Sequence, residues 1–218
     1  MSRAEVPRGV YLLTPDWDDT PRLLAATAAA LAAGVRWLQY RNKRADAATR
    51  RAQVRALREL TLAHGAKLVV NDDVGLAIEA HADGVHVGRD DPDPRARLAR
   101  EGVAMAIGVS CYDDLQRARV AVAGGADYVA FGAVFASPTK PAAVRAPLAL
   151  LAQARAEGMH VVAIGGIVAD NIARIAAAGA HAAALVSAVY DAADPGAAAR
   201  ELVSKFKAGE HEPQRTTV

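Results

Sequence analysis

The chain has 218 residues, a length that fits one α/β barrel or one doubly wound domain and can bury a sizeable core. Its net charge of +2 gives no bulk reason to select nucleic acid or a membrane surface, and its single cysteine, Cys111, excludes an internal disulfide and a multi-cysteine metal site. Hydrophobic content is 52%, yet no apolar run reaches bilayer-spanning length, and Met1-Ser2-Arg3-Ala4-Glu5 lacks the apolar stretch of a secretory signal, so a cytoplasmic location is expected.

Along the chain, short apolar runs alternate with alanine-rich stretches of helical spacing. A first strand is expected over Gly9 to Leu13, followed by a helix from near Pro21, with Thr20 as its N-cap, to Gly34. The second strand covers Trp37 to Tyr40, and its helix runs from Ala47 to His64, closed by Gly65. A third strand over Leu68 to Val70 precedes a short helix near Val74 to Ala80. A fourth over Val85 to Val87 precedes a helix near Pro94 to Glu101, closed by Gly102. The fifth spans Ala104 to Val109, with a helix near Asp113 to Ala123. The sixth, Tyr128 to Phe131, is separated from its helix near Leu148 to Glu157 by the one long gap, Ala133 to Pro147, a length usually reserved for functional loops. The seventh strand is Val161 to Ile164, with a helix near Asn171 to Ala178. The eighth is Ala182 to Val186, and a last helix covers Pro195 to Lys207. Eight such units, with strands apolar on both faces, read as an α/β fold, a single-domain (β/α)8 TIM barrel over residues 1–208. The polar stretch 209–218 is expected to be a disordered tail.

Residues able to hold a phosphate or a hard cation recur at the ends of the strands, the rim where strands from all parts of a barrel converge. In Gln39-Tyr40-Arg41-Asn42-Lys43, positions 39, 41 and 43 share one face if the strand continues, and Arg and Lys both suit phosphate oxygens. With 21 arginines and only five lysines, Lys43 and Lys140 stand out at such ends. Asn71-Asp72 and Asp91 offer hard oxygens from neighbouring strands, as Mg²⁺ prefers when phosphates and waters complete its octahedron. Asp72 could equally cap the following helix, Asp91 could sit in a turn before Pro92, and spacing does not separate them from Asp73 and Asp90. Ser137-Pro138-Thr139-Lys140 suits a pyrophosphate or forms a plain turn. Gly165-Gly166-Ile167 and Val186-Ser187 have the character of a backbone phosphate site. Ser110 either donates its hydroxyl to a ligand or caps the next helix. His86, in mid-strand, reads as a satisfied core histidine, and Cys111, with no activating neighbour in sequence, as structural.

Taken together, Gln39-x-Arg41-x-Lys43, Asn71-Asp72, Asp83-Gly84-Val85-His86-Val87-Gly88 running on to Asp91, Gly108-Val109-Ser110, Ser137-x-Thr139-Lys140, Ala163-Ile164-Gly165-Gly166-Ile167 and Val186-Ser187 resemble the thiamine-phosphate synthase family in order and spacing, from about Tyr11 to Lys205. The resemblance implies a transferase that joins 4-amino-2-methyl-5-hydroxymethylpyrimidine diphosphate to a thiazole phosphate, giving thiamine monophosphate and pyrophosphate. It implies Mg²⁺ held by Asp72 and Asp91. It assigns Gln39, Arg41, Lys43, Asn71, Ser110 and Lys140 to the pyrimidine diphosphate, and Ser137, Thr139, Gly166, Val186 and Ser187 to the thiazole phosphate. Tyr40, Asn42 and Pro138, inside the same stretches, join the expected substrate contacts. Lys140, Arg41 and Lys43 would carry catalysis by stabilising the leaving pyrophosphate as it departs ahead of nitrogen attack. The partners implied are these two small molecules, with neither nucleic acid nor membrane. Arg89, Tyr112, Ala133, Ala136 and Ser137 depart from the usual family residues. A related thiazole tautomerase would place a histidine near position 112, where this chain has Tyr112. A non-catalytic phosphate sensor is disfavoured by the intact Asp72, Asp91 and Lys140.

Overall fold

The computed structural model describes residues 4–89, 91–136 and 145–210. Its strands are β1 (Gly9–Leu13), β2 (Trp37–Tyr40), β3 (Lys67–Asn71), β4 (Gly84–Val87), β5 (Ala106–Tyr112), β6 (Tyr128–Gly132), β7 (Val161–Ile164) and β8 (Ala182–Leu185). Between and after them lie α1 (Thr20–Ala32), α2 (Ala47–Ala63), α3 (Val74–Glu79), α4 (Arg95–Glu101), α5 (Leu115–Ala123), α6 (Leu148–Ala156), α7 (Ile172–Ala177), α8 (Ser187–Tyr190) and α9 (Pro195–Glu210). Every strand is parallel to its neighbours. The sheet closes where β8 meets β1, with Gly9 opposite Ala182 and Leu12 opposite Leu185, so the (β/α)8 barrel expected from the alternation is the fold found. No helix among the described residues is long and apolar enough to cross a membrane.

Several boundaries differ from the sequence expectation, each for a local reason. Asp19, not Thr20, caps α1: its carboxylate accepts the Arg22 N–H at 3.0 Å, while the Thr20 hydroxyl accepts from Gln53 at 3.1 Å. Strand β5 starts two residues late and continues to Tyr112 through a register shift against β6, which makes Ser110 a strand residue rather than a helix cap. One turn of helix, α8, intervenes after β8. Helix α9 extends to Glu210, past the expected boundary at 208, because Gly209 is buried against α7: a Cβ there would meet the Ala173 backbone, its Cα at 2.8 Å. Residues 211–218, the rest of the expected tail, lie outside the described residues.

Alternation along each strand divides the core in two. One set, including Val10, Leu12, Leu38, Leu68, Val70, Val85, Phe131 and Val161, packs outward under the helices. The other fills the lumen: Tyr11, Leu13, Trp37, Val69, Tyr128, Ala130, Val162, Ala182 and Ala184. Large and small residues are matched between neighbouring strands. The Tyr128 ring lies directly on Gly108, where a Cβ would overlap its Cζ, Cε2 and hydroxyl oxygen, and Gly84 lies against the Ala106 carbonyl. Gly108 is therefore required for room rather than for backbone conformation. Gly108→Ala should destabilise the fold by about 1–3 kcal/mol through overpacking, read as a lower denaturant midpoint at unchanged slope. A midpoint equal to that of the parent would show that the ring moves aside freely.

The opposite, amino-terminal end of the barrel carries a stacked histidine pair. His160 and His181 lie with ring centroids 4.1 Å apart; His160 Nε2 is 2.6 Å from the Pro7 carbonyl, and His181 Nδ1 accepts the Val161 N–H at 3.0 Å. Burial, followed by His160, Arg155 and Arg8, pushes His181 down to about 4 from the ordinary 6.5. Between those values the unfolded chain binds a proton that the folded ring refuses, so this contribution to stability is fully present above pH 6.5 and is lost as pH falls toward 4. The melting temperature should drop across that window, and less steeply in His181→Gln. Parallel profiles for the two proteins would remove the pair from the explanation.

Candidate functional site

The carboxyl ends of the strands gather most of the expected residues at one rim. Below it, the lumen floor is polar at one level. Gln39 Nε2 donates to the Tyr11 hydroxyl at 2.8 Å, the Tyr11 and Tyr128 hydroxyl oxygens are 3.1 Å apart, Tyr128 is 3.2 Å from His86 Nδ1, and His86 Nε2 is 2.9 Å from Ser110 Oγ. Gln39 and His86 are buried, and burial pushes His86 down to about 4, so the ring is neutral at pH 7. The reading of His86 as satisfied fits both ring nitrogens having partners. Those partners include Ser110, so the histidine also belongs to the site.

Beyond Tyr40 the chain leaves the sheet, and the side chains of the second-strand stretch diverge. The Arg41 guanidinium is held by Asp16 at 3.0 Å, and the same carboxylate accepts the Lys43 N–H at 2.9 Å. Thr14 closes the backbone: its hydroxyl donates to the Arg41 carbonyl and accepts the Arg41 N–H, both at 2.8 Å. Tyr40 and Asn42 make their side-chain hydrogen bonds within the chain. Tyr40 points outward and donates to Gln53 Oε1 at 2.9 Å. Asn42 donates to the Trp17 carbonyl and to Gln53, and its Oδ1 accepts the Arg44 and Ala45 N–H groups. Period-2 alternation turns Tyr40 to the outer face of β2, and Asn42, beyond the end of the strand, spends its side chain on the turn.

At the ends of β3 and β4 the acidic candidates separate. Asp73 caps α3 by accepting the Leu76 N–H at 2.9 Å. Asp72 is left free of that duty. It sits at φ +62°, a left-handed conformation rare outside glycine, and its N–H donates to the His86 carbonyl at 2.8 Å. Its carboxylate is 3.3 Å from Lys43 Nζ. Burial and then the neighbouring Asp91 raise its pKa, with Lys43 acting in the opposite sense. Asp91 in turn accepts the Gly88 N–H at 2.7 Å. Two carboxylates brought together against their repulsion, beside half-buried Asn71, form a donor set that suits a hard divalent cation sharing phosphate and water ligands. Among the described residues no third carboxylate, histidine or cysteine completes a closed metal cage. Asp90 lies outside the described residues.

Across the barrel, Gly165 and Gly166 turn the chain at φ +101° and +66°. The Gly166 carbonyl is held by Asn171 Nδ2 at 3.0 Å, whereas the N–H groups of Gly166, Val186 and Ser187 make no hydrogen bond among the described residues. Free amides from two adjacent strand ends can receive an anion. Gly166 is also packed from behind: a Cβ would strike the Ala136 carbonyl oxygen and come within 2.7 Å of the Phe135 oxygen. The base of the long loop is pinned there, with Val134 and Phe135 N–H donating to the Ile164 and Gly165 carbonyls. Ser137, Pro138, Thr139 and Lys140 lie outside the described residues.

Two of the departures from the family pattern meet: the Arg89 guanidinium lies over the Tyr112 ring, 4.7 Å from its centroid. Cys111, beside Tyr112 in sequence, is buried and pushed up to about 12 by burial, in keeping with a structural thiol. Sequence reasoning misses Tyr11, Tyr128 and Asp16. Asp16 carries a signal, since Thr14-Pro15-Asp16 ends the first strand as the other candidates end theirs. The tyrosines carry none, because an inward tyrosine in an apolar strand is indistinguishable from packing.

Comparison with known proteins agrees with this geometry. The sequence profile of the thiamine monophosphate synthase family matches residues 10–189. Thiamine-phosphate synthase of Bordetella pertussis is 50% identical over 213 residues, covering 94% of this chain and 98% of its own. That of Chromobacterium violaceum is 54% identical over 200 residues, covering 92% and 97%. The structure of a thiamine phosphate pyrophosphorylase from Pyrococcus furiosus superposes with a TM-score of 0.81 at 30% identity, covering 92% of this chain and 96% of that one. A sequence match across nearly the full length, joined to the closed barrel and its charged rim, places the chain in the thiamine monophosphate synthase family.

Proposed function

We propose that the chain condenses 4-amino-2-methyl-5-hydroxymethylpyrimidine diphosphate with a thiazole phosphate, releasing thiamine monophosphate and pyrophosphate. The observation that carries the reading at the level of residues is the Lys43–Asp72–Asp91 cluster, which joins a cation to two adjacent carboxylates at the ends of β2, β3 and β4. Asp72 and Asp91 would hold Mg²⁺, which when bound supplies charge to offset that of the diphosphate. Arg41 and Lys43 flank this position and would bind the diphosphate oxygens, with Asp16 fixing the direction of Arg41. Asn71, Gln39 and Ser110 would contact the pyrimidine end from the lumen. Lys140, by its place in the sequence, would neutralise the diphosphate as the C–O bond opens.

The chemistry depends on what the site lacks as much as on what it holds. Among the described residues, Cys111 is no activated nucleophile, being buried with a raised pKa, and Ser110 Oγ lies 2.9 Å from the Nε2 of a histidine whose Nδ1 is engaged by tyrosine. Departure of pyrophosphate before capture by the thiazole nitrogen needs no such group, only stabilisation of separating charge and exclusion of water. The amides of Gly166, Val186 and Ser187, without partners among the described residues, would hold the thiazole phosphate across the barrel from the leaving group.

The direct test is release of pyrophosphate when both substrates and Mg²⁺ are supplied. Asp72→Ala and Asp91→Ala should each slow it by on the order of 10²–10³, the scale of one electrostatic stabiliser. Undiminished turnover in chelator, or in either variant, would sink the metal assignment. For the second phosphate, Gly166→Val is a poor probe because its side chain would displace the 135–136 backbone whether or not a phosphate binds. Ser187→Ala is cleaner. It should raise KM for the thiazole phosphate a few-fold, about 1 kcal/mol for one hydroxyl bond, and leave KM for the diphosphate unchanged. The reverse pattern would mean that the two phosphate positions are exchanged.

A further inference from the structure

The count of protons in the chain of hydrogen bonds across the lumen allows two directions, and the orientation of the Gln39 amide selects one of them. Gln39 Nε2 can only donate, so the Tyr11 oxygen accepts from it. The remaining partner of Tyr11 is Tyr128, so the Tyr11 proton lies between the two hydroxyls and the Tyr128 oxygen accepts it. Tyr128 must then place its own proton on its remaining partner, His86 Nδ1. A neutral imidazole that accepts at Nδ1 carries its proton at Nε2, and that proton points to Ser110 Oγ at 2.9 Å. Ser110 accepts from the histidine and retains its own proton, for which no partner exists among the described residues. Gln39 Oε1 is likewise left as an acceptor without a partner among them. The only other self-consistent arrangement reverses every link together: a flipped Gln39 amide, an Nδ1–H histidine, and Ser110 spending its proton on His86.

We propose that Tyr11, Tyr128 and His86 are positioning residues that hold Gln39 as a hydrogen-bond acceptor and Ser110 as a donor toward the ligand. The relay lies in the lumen, with the Tyr128 ring packed on Gly108 and stacked on the His86 ring at 5.5 Å, so its members have little freedom to turn independently. Its two ends are on β2 and β5, and the polarity of one end dictates that of the other. The ligand that fits is one offering an N–H donor to Gln39 and a lone-pair nitrogen or oxygen to Ser110. An aminopyrimidine diphosphate carries both, and this match rests on the function proposed above. The relay thereby makes the floor selective for an amino-substituted ring over a ring with a carbonyl in that place, because a carbonyl would face the Gln39 oxygen without a proton between them.

The test begins with the unaltered protein. ¹⁵N spectra of the histidines, with His86 assigned by its loss in His86→Asn, should show the neutral Nε2–H tautomer at pH 7.5. An Nδ1–H tautomer or a charged ring would overturn the proposal. Next, Tyr128→Phe should keep the circular dichroism of the parent but raise KM for the pyrimidine diphosphate about three- to tenfold, the scale of one hydrogen bond, with KM for the thiazole phosphate unchanged. Ser110→Ala should add little in that background, since the hydroxyl has already lost its fixed direction. Equal rises in both KM values, or full additivity of the two substitutions, would overturn it. If the parent protein releases no pyrophosphate from the two substrates, the proposed function fails, and the tautomer measurement alone still decides the relay.

Discussion

Closure of the sheet is the constraint on which the rest of the molecule depends. Eight short parallel strands pair in sequence order and β8 returns to β1, so no edge is left unpaired and every second side chain is driven into a lumen without bulk solvent. That lumen must be filled and its polar groups must be partnered. Trp37, Tyr11 and Tyr128 fill it together with small alanines, the Tyr128 ring lying on Gly108 of the neighbouring strand. The polar residues Gln39, Tyr11, Tyr128, His86 and Ser110 satisfy one another in line. Burial of Gln39 and His86 is tolerable only because the tyrosine hydroxyls stand between them, and the same bonds prepare the floor of the site.

At the rim the balance differs. There the chain holds charges in arrangements that are incomplete without a ligand. Asp16 compensates Arg41, but Asp72 and Asp91 repel each other, and the lysine paired with Asp72, Lys43, is itself more than half exposed at 58%. Asp72 also adopts a left-handed backbone, a strained conformation kept at a position where it serves no cap. Opposite, the turns after β7 and β8 carry amides with no hydrogen-bond partner among the described residues. Stability alone would favour capped amides and separated carboxylates. Their concentration at the carboxyl end of the barrel is the signature of a site arranged for a charged substrate, and it contrasts with the amino-terminal end, where the histidines face a main-chain carbonyl and amide.

Much of this is legible in the sequence because it is local. Alternating apolar runs and capping signals locate eight strands to within a few residues. Closely spaced polar residues after those runs locate Arg41, Lys43, Asp72 and Asp91, since parallel strands deliver their carboxyl-terminal loops to one shared rim. The sequence misleads where a decision is shared among neighbours along the chain. Thr20 and Asp19 are both competent caps, and so are Asp72 and Asp73; only the backbone entry angle and the position of Gln53 or Asp91 choose between them. Motif spacing groups Tyr40 with the rim residues that follow it, although alternation points its side chain to α2.

The amino-acid sequence by itself determined the barrel, the family pattern and the chemical types gathered at the strand ends, because hydrophobic period, turn residues and motif spacing are properties of short stretches. The tertiary structure decided which of those residues act together. Gln39 and Ser110 are separated by two intervening strands, Tyr11 and Tyr128 by more than half the chain, and nothing in their spacing indicates that a neutral histidine links them. Hydrogen bonds act over about 3 Å and carboxylate repulsion is screened within about 10 Å, so their partners exist only once closure of the sheet has fixed which side chains meet in the lumen.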